Sequence, residues 1–201
     1  MISRDGGAIE RVRFERMRVD CRETPVGFWG SGEALTVSAL DRRASRPAGV
    51  IRDVVVAGLT GRAEGALVLC AERPGRIRDI RLEQIAILQQ PGPLGTAQWL
   101  DLRPTAADVA VPDGAEGRAN SWVRLADGSI AGLVRYPGGL PLLHAQGVQG
   151  LQLQDWASQR PQPLPAGWHP EAQLLIDTTL GSEAPAEMAA NDAVGLPMPG
   201  R

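Results

Sequence analysis

The chain has 201 residues, 21 of them basic and 23 acidic, for a formal net charge of -2. All the basic residues are arginine, and they are scattered rather than clustered, so there is no broad cationic footprint for nucleic acid. No apolar run approaches the about 18 residues a membrane span needs, and the length favours one domain with a real core.

The first element predicted along the chain covers residues 8–22. It contains the fullest copy of an apolar pattern, Ile9-x-x-Val12-x-Phe14-x-x-Met17-x-Val19. Apolar residues two apart fit a strand, and the three-residue gaps fit a bend leading into it. Residues 24–34 follow as a Gly-rich insertion carrying Pro25, Phe28 and Trp29, and 41–49 as an Arg-rich loop. The pattern returns at Ile51, with Val54, Val56 and Leu59, within a second β-rich stretch over 50–60. Residues 65–71 and 76–88 read as further strands, the latter with a third copy at Ile77, Ile80, Leu82, Ile85 and Ile87. A Pro-Gly-Pro turn within 89–98 and a polar loop over 104–120 come next. Weaker copies start at Ile130, with Leu133, and at Val148, with Leu151, Leu153 and Trp156. Residues 157–170 hold four prolines and read as extended chain; Leu174–Ile176 reads as one last strand. Residues 181–201, rich in Ala, Gly and Pro, read as a flexible tail.

A pattern repeated at one or two turns of about 18–27 residues is the mark of a solenoid. Each strand would bond to its copies above and below, with aliphatic side chains stacked inside. The expected fold class is therefore all-β, with about six coils in one domain over residues 1–180. Cys21 and Cys70 end two strand-like stretches and read as free thiols, with a disulfide between coils as the alternative.

Several segments carry a family resemblance. Ser-Arg-Asp-Gly-Gly-Ala-Ile-Glu-Arg-Val-Arg-Phe-Glu-Arg-Met (3–17) and Trp-Gly-Ser-Gly-Glu-Ala-Leu-Thr-Val-Ser-Ala (29–39) are two. Gly-Val-Ile-Arg-Asp-Val-Val-Val (49–56), Gly-Arg-Ile-Arg-Asp-Ile-Arg-Leu-Glu-Gln-Ile (75–85) and Leu-Asp-Leu-Arg-Pro (100–104) are the others. In this order they resemble the C-terminal half of the polygalacturonase-like glycoside hydrolases of family 28. The resemblance covers about residues 2–156. It implies a right-handed parallel β-helix of the pectin-lyase-like kind, acting on pectic polysaccharide by inverting hydrolysis, with export from the cell.

Inversion takes one carboxylic acid to protonate the leaving oxygen and a carboxylate opposite it to activate water. The family supplies them from Asn-x-Asp, Asp-Asp and Gly-His-Gly motifs, none of which occurs here. Met1-Ile2-Ser3 stands near the place of the family's Arg-Ile-Lys. The expectation is thus a β-helix lacking the N-terminal catalytic coils, with no catalytic residue of its own and no hydrolysis by the chain alone. The short lead before Ile9 is too brief for a cap helix, so the first coil reads as an open end.

Five residues are candidates for contact with a sugar. Trp29 could stack on a ring or anchor its own loop. Glu33 could bond hydroxyls or cap the backbone. Asp101 and Arg103 share a strand face; the arginine's fork could grip a uronate, or the two could form a structural ion pair. Arg4, before the Gly6-Gly7 turn, could reach an anionic substrate. His144 reads as a satisfied coil residue, and Glu10, Glu15, Asp53, Asp79 and Glu83 as a solvated outer face. No cofactor, metal, nucleic acid or membrane is expected. The competing readings are a non-catalytic carbohydrate-binding β-helix and a structural, oligomeric β-helix.

Overall fold

The computed structural model describes residues 1–23, 30–94, 98–105 and 125–181. Among them it holds twelve strands and no helix. Short and long strands alternate through the first half: β1 (Ile2–Ser3), β2 (Ile9–Cys21), β3 (Leu35–Ala39), β4 (Ile51–Ala63), β5 (Leu67–Ala71) and β6 (Ile77–Gln89). An antiparallel pair follows, β7 (Trp99–Asp101) with β8 (Leu133–Arg135). The chain then resumes its parallel passes with β9 (Leu143–Gln146), β10 (Val148–Gln149), β11 (Gln152–Trp156) and β12 (Gln173–Ile176).

Two parallel sheets result. The short strands stack in the order β1-β3-β5-β9-β12. The long strands stack as β2-β4-β6, and β10 and β11 pair with the far side of β6. The register explains the repeat seen in the sequence. Ile9 lies beside Ile51, Ile51 beside Ile77, and Ile77 beside Val148. Phe14, Val56, Leu82 and Leu153 form a second ladder. Both ladders enter one apolar core, where they meet the inward residues of the short strands, Val37, Leu69 and Ala145 among them.

The three-residue gaps arise from backbone bends. Arg11, Asp53 and Asp79 have φ of 53°, 54° and 55°, and the strand pairing skips all three. A residue in the left-handed region turns the strand without spending an inward position, so the next apolar side chain again faces the core. Arg16, Gly58 and Gln84 repeat the device five residues later. The inward side chains Ile51, Val54, Val56 and Leu59 of β4 are completely buried.

The copy expected at Ile130 is not part of either stack. Ile130 precedes β8, whose partner is the antiparallel β7, and the strand paired with β6 after it is β10. An isolated apolar-x-x-apolar match is too short to separate a coil from a hairpin. The expected strand at Leu174–Ile176 is β12, beside β9. Cys21 and Cys70 are free thiols, Cys70 buried and Cys21 partly so. Residues 182–201, expected as a tail, lie outside the described residues.

Candidate functional site

Strand alternation sends Val68, Cys70 and His144 to the face of the short-strand sheet opposite the main core. That face is covered. Leu100 of β7, Tyr136, Leu140 and Trp168 pack on Ala66, Val68 and Cys70 to form a second, smaller core. Backbone bonds fix the cover, with Leu140 N–H donating to Gly167 O at 3.1 Å and His169 N–H to Leu140 O at 2.9 Å.

Four of the five candidates meet at the edge of this second core. The Arg103 guanidinium donates twice to the Asp101 carboxylate, Nε to Oδ1 at 2.9 Å and Nη2 to Oδ2 at 2.8 Å. Both side chains are almost wholly buried. Asp101 also accepts from its neighbours' backbone: Arg103 N–H at 2.9 Å and Gly30 N–H at 2.6 Å. The buried Arg4 reaches the same segment, its Nη2 donating to Leu102 O at 3.1 Å and Arg103 O at 3.3 Å. These three side chains therefore tie the β7 segment to the N-terminal turn and the 30–33 loop. A fork already closed on Asp101 is not presented to a uronate.

Glu33 stands apart chemically. Its carboxylate accepts from Ser31 N–H. Burial pushes its pKa up to about 7, and the Asp101 and Glu23 charges push the same way, against the bonds from the backbone. Trp29, the fifth candidate, lies outside the described residues.

Two further groups here were not singled out for chemistry by the sequence. Tyr136 is buried, and among the described residues no group bonds its hydroxyl; burial first, then the Glu33 and Asp101 charges, hold its pKa far above the usual range. His144 packs edge-on against it, with ring centroids 5.5 Å apart. Neither ring nitrogen has a hydrogen-bond partner of normal geometry among the described residues, and only Gln146 lies near enough to favour the charged ring. Burial lowers its pKa to about 4, and the nearby Gln146 offsets only part of that. The sequence did hold a signal for this covered face. Leu67–Ala71 is an unbroken apolar run, which marks a strand buried on both sides.

Among the described residues, the polar groups of the cluster are largely engaged with one another. Both oxygens of Asp101 are taken up by Arg103 and two backbone donors. Cys70 is not a nucleophile, because burial holds its thiol at about 11. Among the described residues no three His, Cys, Asp or Glu side chains converge as metal ligands.

An open concavity lies elsewhere, along the long-strand sheet. Arg18, Val19, Asp20, Gly61, Arg62 and Leu88 line a groove of about 510 Å³. Asp20, Arg62 and Leu88 share one register position on β2, β4 and β6. Gly61 makes the close approach possible, since a Cβ there would lie 1.9 Å from Val19 O. A glycine inside a strand is the sequence sign of such a spot. Arg18 and Arg62 form no ion pair among the described residues, and both are exposed.

No protein-family model matches the sequence. No curated protein matches it, and neither does any solved structure. The geometry of the chain itself therefore carries the functional argument.

Proposed function

We propose that the chain is a right-handed parallel β-helix similar to the C-terminal part of polygalacturonase-like hydrolases, and that it holds pectic polysaccharide without cleaving it. The single observation that carries the second half is the state of Asp101. Glu33 has the raised pKa of a general acid. Its neighbour Asp101 is spent on Arg103 and two backbone N–H groups. Inverting hydrolysis needs a second carboxylate free to activate water.

The fold reading is supported by the two parallel stacks, by bends repeated at equal positions in β2, β4 and β6, and by the aliphatic ladders between them. The long groove side supports the binding reading. Its two exposed guanidinium groups match the carboxylates of a polyuronate, and Leu88, 41% exposed, offers an apolar patch for a sugar ring face.

The test is incubation of the purified chain with polygalacturonate, followed by measurement of reducing ends. The expected result is no rise beyond a buffer blank. Sustained turnover, abolished by Glu33→Gln, would show that the chain hydrolyses its ligand.

A further inference from the structure

The 30–33 loop joins the main coils to the cover. On the coil side its backbone is fixed. Glu23 and Ser31 form an antiparallel bridge, Gly65 N–H donates to Gly32 O at 2.9 Å, and Ala34 N–H donates to Ala66 O at 3.2 Å. The approach is close, since a Cβ on Gly65 would lie 2.5 Å from Ser31 O. On the cover side the loop is tied through a carboxylate. Gly30 N–H donates to Asp101 Oδ2, and the next amide, Ser31 N–H, donates to Glu33 Oε2. Consecutive amides therefore hold two different carboxylates, one from β7 and one from the loop itself. Gly30 has φ of 94° and Gly32 of 76°, a glycine-dependent backbone that gathers successive N–H groups around anions.

Two carboxylates this near do not ionise together without cost. Asp101 has the Arg103 fork to hold its charge. The charges that bear on Glu33 among the described residues are those of Asp101 and Glu23, both acidic. The other groups around it add no positive charge. They are the Tyr136 hydroxyl on the cover, the Cys21 thiol at the end of β2, and Glu64, whose carboxylate accepts from Glu23 N–H. The two arginines of the cluster are turned elsewhere, Arg103 to Asp101 and Arg4 to the Leu102 and Arg103 carbonyls.

We propose that Glu33 is a proton-operated clasp between the coils and the cover. Protonated, it rests beside the charged Asp101, and the loop keeps its hold on β7. Ionised, it drives the loop off Asp101, its proton passes to solvent, and Gly30 N–H turns to water. The Arg103 and Arg4 bonds remain, so the cover loses one tie and stays in place. Burial sets the direction. Glu33 titrates near 7 in the closed clasp against an ordinary 4.5, so the preference for closure is complete below about 4.5 and is lost as pH rises through 7.

Hydrogen exchange at two amides tests this in the unaltered chain. Gly30 N–H reports the clasp, and Val56 N–H, in the fully buried part of β4, reports opening of the whole chain. Whole-chain unfolding also frees His144, whose pKa of about 4 opposes Glu33, so Val56 protection should hardly change between pH 4.5 and 6.5. Release of the clasp frees Glu33 without His144. Protection of Gly30, corrected for the intrinsic exchange rate, should therefore fall about tenfold or more across the same window. Glu33→Gln, neutral at every pH, should hold Gly30 protection constant. A Gly30 amide already unprotected at the lower pH, one equally protected at both, or one that changes only in step with Val56 would overturn the proposal. So would loss of Gly30 protection with pH in Glu33→Gln. Should that variant fail to fold, the contrast between the two amides of the unaltered chain decides.

Discussion

Glu33 and His144 are opposed in sign, and their opposition sets how stability depends on pH. Glu33 titrates near 7 in the folded chain against an ordinary 4.5. The folded state keeps a proton the unfolded chain has lost, so this contribution is complete below about 4.5 and gone once pH has risen through 7. His144 titrates near 4 against an ordinary 6.5. Here the unfolded chain takes up a proton the folded one refuses, so the contribution is complete above 6.5 and lost as pH falls through 4. Each is worth about 3 kcal/mol over its window. Between pH 4.5 and 6.5 the two slopes cancel, and the predicted stability of the protein there is nearly flat. Glu33→Gln should leave only the histidine, making stability rise by about 2–3 kcal/mol from pH 4.5 to 6.5. His144→Leu should make it fall by a similar amount. Urea midpoints at the two pH values check this; variants as flat as the parent would show that neither group is buried as described.

The long strands were legible in the sequence because their inward positions form a simple series. Ile51, Val54, Val56 and Leu59 announce a bend, a strand and a second bend, and the structure places each in the core. Other elements were hidden by the same physics. Ile130 and Leu133 have the right spacing but belong to a hairpin segment, because two apolar residues cannot specify which partner they meet. Of the candidates, Asp101 and Arg103 were found as a pair sharing a face, yet nothing local in Leu-Asp-Leu-Arg-Pro shows that a separate loop supplies Gly30 N–H. The bends themselves give a test at this scale. Asp53 sits at φ 54°. Replacing it with glycine should leave stability unchanged or raise it by up to about 1 kcal/mol, because glycine enters this region freely. Asp53→Val should cost about 1–3 kcal/mol, since a β-branched side chain is strained there. Thermal unfolding of the two variants separates a true bend from an ordinary strand residue, at which glycine would be the more harmful change.

For the whole molecule, the arrangement divides labour between two faces. One face of the short-strand sheet is closed by the β7–β8 segment and by residues up to Trp168, and its polar residues hold that cover in place. The long-strand sheet keeps its outer face open, with the groove across β2, β4 and β6. The proposed binding without cleavage rests on that division: the raised carboxyl is on the closed face, and the exposed guanidinium groups of Arg18 and Arg62 are on the open one. The most direct measurement is a calorimetric titration of the purified chain with an oligogalacturonide of several sugars. The account predicts saturable binding that Arg62→Ala weakens about tenfold or more, the loss expected when a charge-assisted hydrogen bond is removed. Absence of any binding heat up to millimolar ligand, or binding indifferent to Arg62→Ala, would contradict it.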